Sequence, residues 1–390
     1  MKDFEFQIRT KIYFGRDKEL LAGQILKENN AKRVYIVIGR GSVKASGLLS
    51  RALSTLEDND IEYKILEGVR ANPTCDFVRE HLPELRGFKP DYMLAIGGGS
   101  VIDTAKSLAA GYYYDGDPFD FNLHIAKPNK VLPIGVILTI SAAGSEMSTS
   151  CVIQDDKTGT KMGFNSELVR PIFAIENPEL TYSVNKEQTA YGIVDILMHT
   201  LERYFQPSSN NEPADGFAET LCKSVIDAGR VVMENPNDYE SRAVLMIMSS
   251  MSHNGLMNLG KPVGMPVHQL EHVLSGLYPH VAHGAGLAVL FPAWARYYAK
   301  YDVDKFDRFA RNVFGLTNKD KLANAIEGIN KLDEYFTFLG MPKNYRDLGI
   351  EEIDIDRLVK KVTNDGTRVI GHHVKPLDQD VAYEIYKTCI

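Results

Sequence analysis

The stretch "DYMLAIGGGSVIDTAK" (Asp91–Lys106) joins an apolar run to three successive glycines and then to a segment of helical period. A strand, a glycine turn and a helix in immediate succession are the repeating unit of a parallel α/β sheet. Gly97, Gly98 and Gly99 lack Cβ atoms, so a ligand can approach the backbone. The helix start behind them offers free N–H groups and a partial positive charge to a pyrophosphate. The turn also has a purely structural reading, with Ser100 as helix cap and Asp103 at the third position, which needs no ligand.

Working outward, the same rhythm recurs. Upstream lie "RVYIVIG" (33–39), a helix near 45–59, "IEYKIL" (61–66) and a helix near 75–87. The start, "MKDFEFQIRTKIYFG", alternates apolar and charged residues without an apolar core, which predicts an edge strand rather than a signal peptide. Downstream come a helix from about Val101, the strand "VLPIGVILTI" (131–140), a hairpin through 154–164 and the strand "PIFAIENPEL" (171–180). From Asn185 onward the apolar period changes to 3.6. The expectation is a Rossmann-like, mostly parallel dinucleotide-binding domain over 1–184, followed by an all-helical metal- and substrate-binding domain over 185–390, with the active site in the cleft between them.

Composition narrows the class. With 390 residues the chain exceeds the size at which single cores stop growing, so two domains are expected. A formal charge of -7 with no Lys/Arg cluster argues against nucleic acid or an anionic membrane as partner. No stretch approaches the roughly 20 apolar residues of a membrane helix. Cys75, Cys151, Cys222 and Cys389 are too far apart for a zinc knuckle or disulfide framework, which suits free thiols in the cytoplasm.

Two further loops resemble the glycine turn in chemistry. "LTISAAGSEMS" (138–148) ends a strand with small polar residues, among them Thr139 and Ser141; convergence with the glycine turn at the carboxyl edge of a parallel sheet favours a dinucleotide. "GRGSVK" (39–44) follows Ile38 without the acidic residue that NAD-preferring folds set against the ribose. It offers Gly39, Ser42 and the cations Arg40 and Lys44, which favours NADP(H), with NAD(H) as the alternative.

Histidines concentrate in "HQLEHVLSGLYPHVAH" (268–283), which holds four of the chain's 10. His268 and His272 stand four apart, as do Asp195 and His199 in "GIVDILMHTLERYF", so each pair projects from one helix face. A single such pair is more often a buried hydrogen-bonded couple than a ligand set; two such helices, with His283 and its following glycine, favour a metal. Neutral imidazoles with one carboxylate suit Zn2+ or Fe2+ and poorly suit Mg2+ or Ca2+. His253 is expected in a core or domain seam, His372 and His373 on a solvated turn, and His81 and His124 in structural roles.

In combination, "ANPT" (71–74), "GGGSVIDTAK" (97–106), "LTISAAGSEMS", "NPELT" (177–181), "DILMH" (195–199) and the histidine segment resemble the iron-containing alcohol dehydrogenases, in their butanol dehydrogenase-like branch. The resemblance implies that Asp195, His199, His268 and His283 bind the metal, and that His272 lies near nicotinamide and substrate in a catalytic role. It also implies that Gly97 to Ser100, Asp103, Thr139, Lys161 and Asn72 line the coenzyme cleft. Two departures stand out: the segment from His272 to His283 is one residue longer than usual, which makes His280 a competing ligand, and "ISAAGSE" replaces a Thr-containing loop.

The implied reaction is hydride transfer between nicotinamide C4 and the carbon of an alcohol or aldehyde whose oxygen the metal polarises. A dimeric homo-oligomer is expected. The rival readings are a glycerol dehydrogenase-like or dehydroquinate synthase-like enzyme on the same scaffold, and a non-catalytic nucleotide- or metal-binding protein.

Overall fold

The computed structural model describes residues 2–207, 211–262, 264–373 and 375–390. Among them the strands are β1 (Lys11–Phe14), β2 (Arg33–Gly39), β3 (Glu62–Val69), β4 (Tyr92–Gly97), β5 (Ile134–Leu138), β6 (Ser150–Asp155), β7 (Thr160–Asn165) and β8 (Phe173–Glu176). The helices up to the last strand are α1 (Ala22–Glu28), α2 (Ser42–Ala45), α3 (Leu48–Glu57), α4 (Cys75–Phe88) and α5 (Gly99–Gly111). After it come α6 (Lys186–Tyr204), α7 (Glu212–Glu234), α8 (Tyr239–Ser252), α9 (Pro266–Leu277), α10 (His283–Ala299), α11 (Val303–Phe314), α12 (Lys321–Phe338), α13 (Ile355–Val362) and α14 (Gln379–Thr388).

Contacts divide the chain into two compact units. The α/β unit comprises Gln7–Asn185 with Asn237–Asn254, so that α8 belongs to it. The helical unit comprises Lys186–Pro236, Gly255–Ile390 and the amino-terminal residues up to Phe6.

In the α/β unit six strands form a parallel sheet in the order β1-β8-β5-β4-β2-β3, with β6 and β7 paired separately as an antiparallel hairpin. Its central strands are apolar at almost every position because both faces are covered. Tyr35, Val37, Met93 and Ala95 point to the face packed by α4, α5 and Met246 of α8. Val34, Ile36, Ile38, Leu94 and Ile96 point to the face packed by α1 and α3. From β2 the chain runs to β3 on one side and then to β4 on the other, which makes the carboxyl edge between β2 and β4 a topological switch point.

The structure revises the helix start at the glycine turn. Helix α5 begins at Gly99 with Gly98 in the cap position, and no side chain caps it, so Ser100 sits inside the first turn. A Cβ on Gly98 would lie 2.3 Å from Ile140 Cγ2, so this glycine is needed for the approach of the two loops.

In the helical unit α6 packs against α7 and α10, and α10 against α9. Helix α10 is buried on nearly all sides, and its Trp294 joins Phe205, Phe291 and Phe306 in an aromatic cluster in which Phe205 and Phe306 stack at 4.1 Å. A Cβ on Gly284 would lie 2.5 Å from the Tyr191 carbonyl oxygen. The first turn of α10 thus crosses the α6 backbone at van der Waals distance, four residues before Asp195. Among the described residues no helix is long and apolar enough to cross a membrane. All four cysteines are buried and unbridged.

Candidate functional site

Helices α6, α9 and α10 bring Asp195, His199, His268 and His283 together. Asp195 Oδ1 lies 3.4 Å from His199 Nδ1, 3.5 Å from His268 Nε2 and 3.7 Å from His283 Nε2. Four donors about 2.1 Å from one tetrahedral ion stand about 3.4 Å apart, so these spacings fit a shared first-row cation. Asp195 Oδ1 and His268 Nε2 are buried and have no hydrogen-bond partner, a costly state that a cation would relieve.

Charge supports the same fit. Asp195, Glu202, Glu271 and Arg203 are all buried here, and three carboxylates against one guanidinium leave two negative charges when the imidazoles are neutral. A divalent ion balances them. Burial alone would depress the His268 pKa, but Glu202 and Asp195 outweigh it and draw the ring up to about 9.

Two carboxylates stand behind the imidazoles. Glu202 accepts from His268 Nδ1 at 2.5 Å and from the backbone amides of Val267 at 2.7 Å and His268 at 3.0 Å, tying the start of α9 to α6. Glu271 accepts from His283 Nδ1. His272 groups with Glu271 and His283, its ring centroid 5.5 Å from that of His283. The sequence reading overlooked Glu202, Glu271 and Arg203. The signal for Glu202 was present, because positions 195, 199 and 202 follow the i, i+4, i+7 spacing of one helix face.

In the α/β unit the turns after β2, β4 and β5 lie at the carboxyl ends of neighbouring parallel strands. This places Gly39, Arg40 and Ser42, then Gly97 to Ser100, then Thr139 and Ser141 along one sheet edge. Ser141 Oγ is buried with no hydrogen-bond partner. Lys161 donates to Asn72 Oδ1 at 3.2 Å, where the hairpin meets the loop after β3. The hairpin is fixed there by the Gln154 backbone amide, which donates to the Pro73 carbonyl at 2.9 Å.

Asp103 accepts from Ser145 Oγ at 2.6 Å and from the Val152 amide at 3.0 Å, and burial pushes its pKa up. Lys106, fully buried, donates to oxygens of Ser145, Ser148 and Ser150 and so staples α5 to the loop after β5. Lys44 forms an ion pair with Glu67 of β3, while Arg40 and Ser42 are exposed.

Comparison with known proteins agrees with both halves. The iron-containing alcohol dehydrogenase family model matches residues 9–178, and the carboxyl-terminal model of the Fe-containing alcohol dehydrogenase family matches residues 189–390. The chain belongs to the iron-containing alcohol dehydrogenase family. It is 40% identical over 389 residues to NADH-dependent butanol dehydrogenase A of Clostridium acetobutylicum, covering 99% of each chain. It is 31% identical over 392 residues to the NADPH-dependent aldehyde reductase YqhD of Escherichia coli, again covering 99% of each. The solved structure of NADH-dependent butanol dehydrogenase A from Thermotoga maritima superposes with a TM-score of 0.96 at 34% identity, over 100% of this chain and 99% of that one.

Membership in this oxidoreductase family supports alcohol dehydrogenase and aldehyde reductase activity over the lyase and non-catalytic readings. Within the family frame the remaining histidines sort by geometry. His280 is exposed and its ring faces Tyr278 and Gly349, away from Asp195. His253 packs inside the α/β unit, with Nδ1 2.8 Å from the Ala143 carbonyl oxygen. His373 differs from the solvated residue expected: it packs on Tyr298 at 4.6 Å and Trp294 at 5.2 Å, and burial lowers its pKa to about 4.

Proposed function

We propose that the chain is an NAD(P)H-linked aldehyde reductase and alcohol dehydrogenase that holds one divalent metal, Fe2+ or Zn2+, on Asp195, His199, His268 and His283. The observation that carries this reading is the set of three imidazole nitrogens 3.4 to 3.7 Å from one buried, unpartnered carboxylate oxygen. When bound, the ion supplies Lewis acidity toward the oxygen of an alcohol or aldehyde.

The chain's own groups do the rest. The amides at the start of α5, with Thr139 and Ser141, hold and orient the coenzyme pyrophosphate and nicotinamide. Asn72 and Lys161, already joined, form the polar wall on the hairpin side. Asp103 and Lys106 keep the loop after β5 in register with the glycine turn. His272, half-buried beside His283, holds a proton on its ring nitrogen for exchange with solvent. The names of the relatives point to short straight-chain aldehydes and alcohols as substrates, and Arg40 with Ser42 supports NADPH as the better coenzyme.

Metal analysis of the purified protein, combined with nicotinamide oxidation on butanal and a panel of other aldehydes, tests the reading. The expected result is about one divalent ion per chain and turnover that a chelator abolishes. Metal-free protein with undiminished turnover would overturn it.

A further inference from the structure

We propose that Glu271 is a positioning residue, whose carboxylate accepts the Nδ1 proton of His283 and thereby presents His283 Nε2, with its lone pair free, to the metal. The inference rests on the metal reading above. Of the four candidate ligands His283 is the least enclosed: its side chain is 26% exposed, against 6% for His199 and His268 and 7% for Asp195. It is also the first residue of α10, where no preceding helical turn confines the ring. An imidazole so placed has two tautomers and two ring orientations, and the acceptor at Nδ1 selects one of them.

The site is built to hold that acceptor. Glu271 is fully buried in the middle of α9, and its carboxylate meets His283 across the α9–α10 contact. Gly286 makes the room: a Cβ there would lie 2.9 Å from Glu271 Cγ and 3.2 Å from its Oε1. Glu202 plays the matching part for His268, but it also accepts from two amides at the start of α9, so replacing it would disturb that helix end as well. Glu271 instead sits in the middle of α9, away from that helix end, so its replacement leaves the Glu202 caps in place.

The test is Glu271→Gln, which keeps the size and an acceptor oxygen while removing the charge. Zinc affinity, measured by competition with a chromogenic chelator, is expected to fall about 10- to 100-fold. The visible absorption of the cobalt-substituted protein should shift, and the melting temperature of the metal-free protein should stay level or rise while the increment gained on adding zinc shrinks. Wild-type zinc affinity with an unchanged cobalt spectrum would overturn the proposal. An equal drop in melting temperature with and without zinc would also overturn it, by marking the carboxylate as structural. Should Glu271→Gln fail to fold, Glu271→Asp, which draws the charge back by one methylene, carries the same measurements. A wild-type protein that binds no divalent ion would instead overturn the metal reading itself.

Discussion

Each unit of this protein buries a group of carboxylates, and the two groups are completed differently. In the helical unit Asp195, Glu202 and Glu271 face three imidazoles and the guanidinium of Arg203. In the α/β unit Glu146 and Glu176, 1% and 0% exposed, meet at the hydroxyl of Ser250, whose Oγ lies 2.7 Å from one and 2.9 Å from the other. A hydroxyl has one hydrogen to donate, so the second contact needs a proton on a carboxyl. Burial raises the pKa of both acids, and Glu146 raises Glu176 further. Rigid nitrogen donors around a buried acidic group suit it to a cation, the reading proposed above; a lone hydroxyl suits one to a proton.

The sharpest break of this comparison is removal of a donor from the first group. His268→Ala is expected to abolish metal binding and lower turnover on the order of a thousandfold, while the fold persists on the packing of α6, α9 and α10. His283→Ala should lose metal as well, whereas His280→Ala should keep it, since His280 lies beside Tyr278 and Gly349. Metal content by atomic emission and far-ultraviolet circular dichroism separate these outcomes. Stoichiometric metal in His268→Ala would mean that the four donors do not share one ion.

How much of this the sequence disclosed depended on the reach of each signal. Continuous apolar runs located β2 and β4, and a 3.6-residue period located α6, to within a few residues, because both faces of the sheet are covered and α6 buries apolar residues at helical spacing. The i, i+4 spacings drew attention to Asp195, His199 and His268, whose polar atoms the structure brings together. Glu202 and Glu271 were missed because a glutamate in a helix reads as solvated until its partner is known. Lys106 and the pair Glu146–Glu176 were missed for a related reason: their partners come from the loop after β5, from β6, β8 and α8, which sequence spacing does not connect. The cap shifted from Ser100 to Gly98 because the approach of Ile140 dictates the turn.

The proton-sharing pair gives the next prediction. Glu176 has a folded pKa well above its ordinary 4.5, so it favours folding below that value and this contribution is lost as pH rises through the folded pKa. Glu176→Gln keeps the shape and cannot ionise. Relative to the variant, the wild type should lose up to about 1.4 kcal/mol per pH unit from the ordinary carboxyl pKa of 4.5 up to the raised folded pKa, and no more above it. Melting curves of both proteins between pH 5 and about pH 9 should therefore diverge, with the variant the more stable at the alkaline end. Parallel curves would show that the pair binds no extra proton.

The smallest expected effect belongs to charges that stay in water. Arg40 and Ser42 are exposed at the end of β2, and no carboxylate lies between Gly39 and Lys44 to repel a 2′-phosphate. Glu67 answers the charge of Lys44, which leaves Arg40 as the principal cation and Ser42 as a hydroxyl donor. A charge-assisted hydrogen bond is worth roughly 1.5–3 kcal/mol, and exposure favours the lower end, so kcat/KM should favour NADPH over NADH by about tenfold. Because the interaction is solvent-screened, that preference should shrink as ionic strength rises, which no buried group in either carboxylate cluster would show. Arg40→Asp should abolish or reverse it without altering metal content. Equal or better use of NADH by the wild type would mean that Arg40 points into solvent and contributes nothing to coenzyme choice.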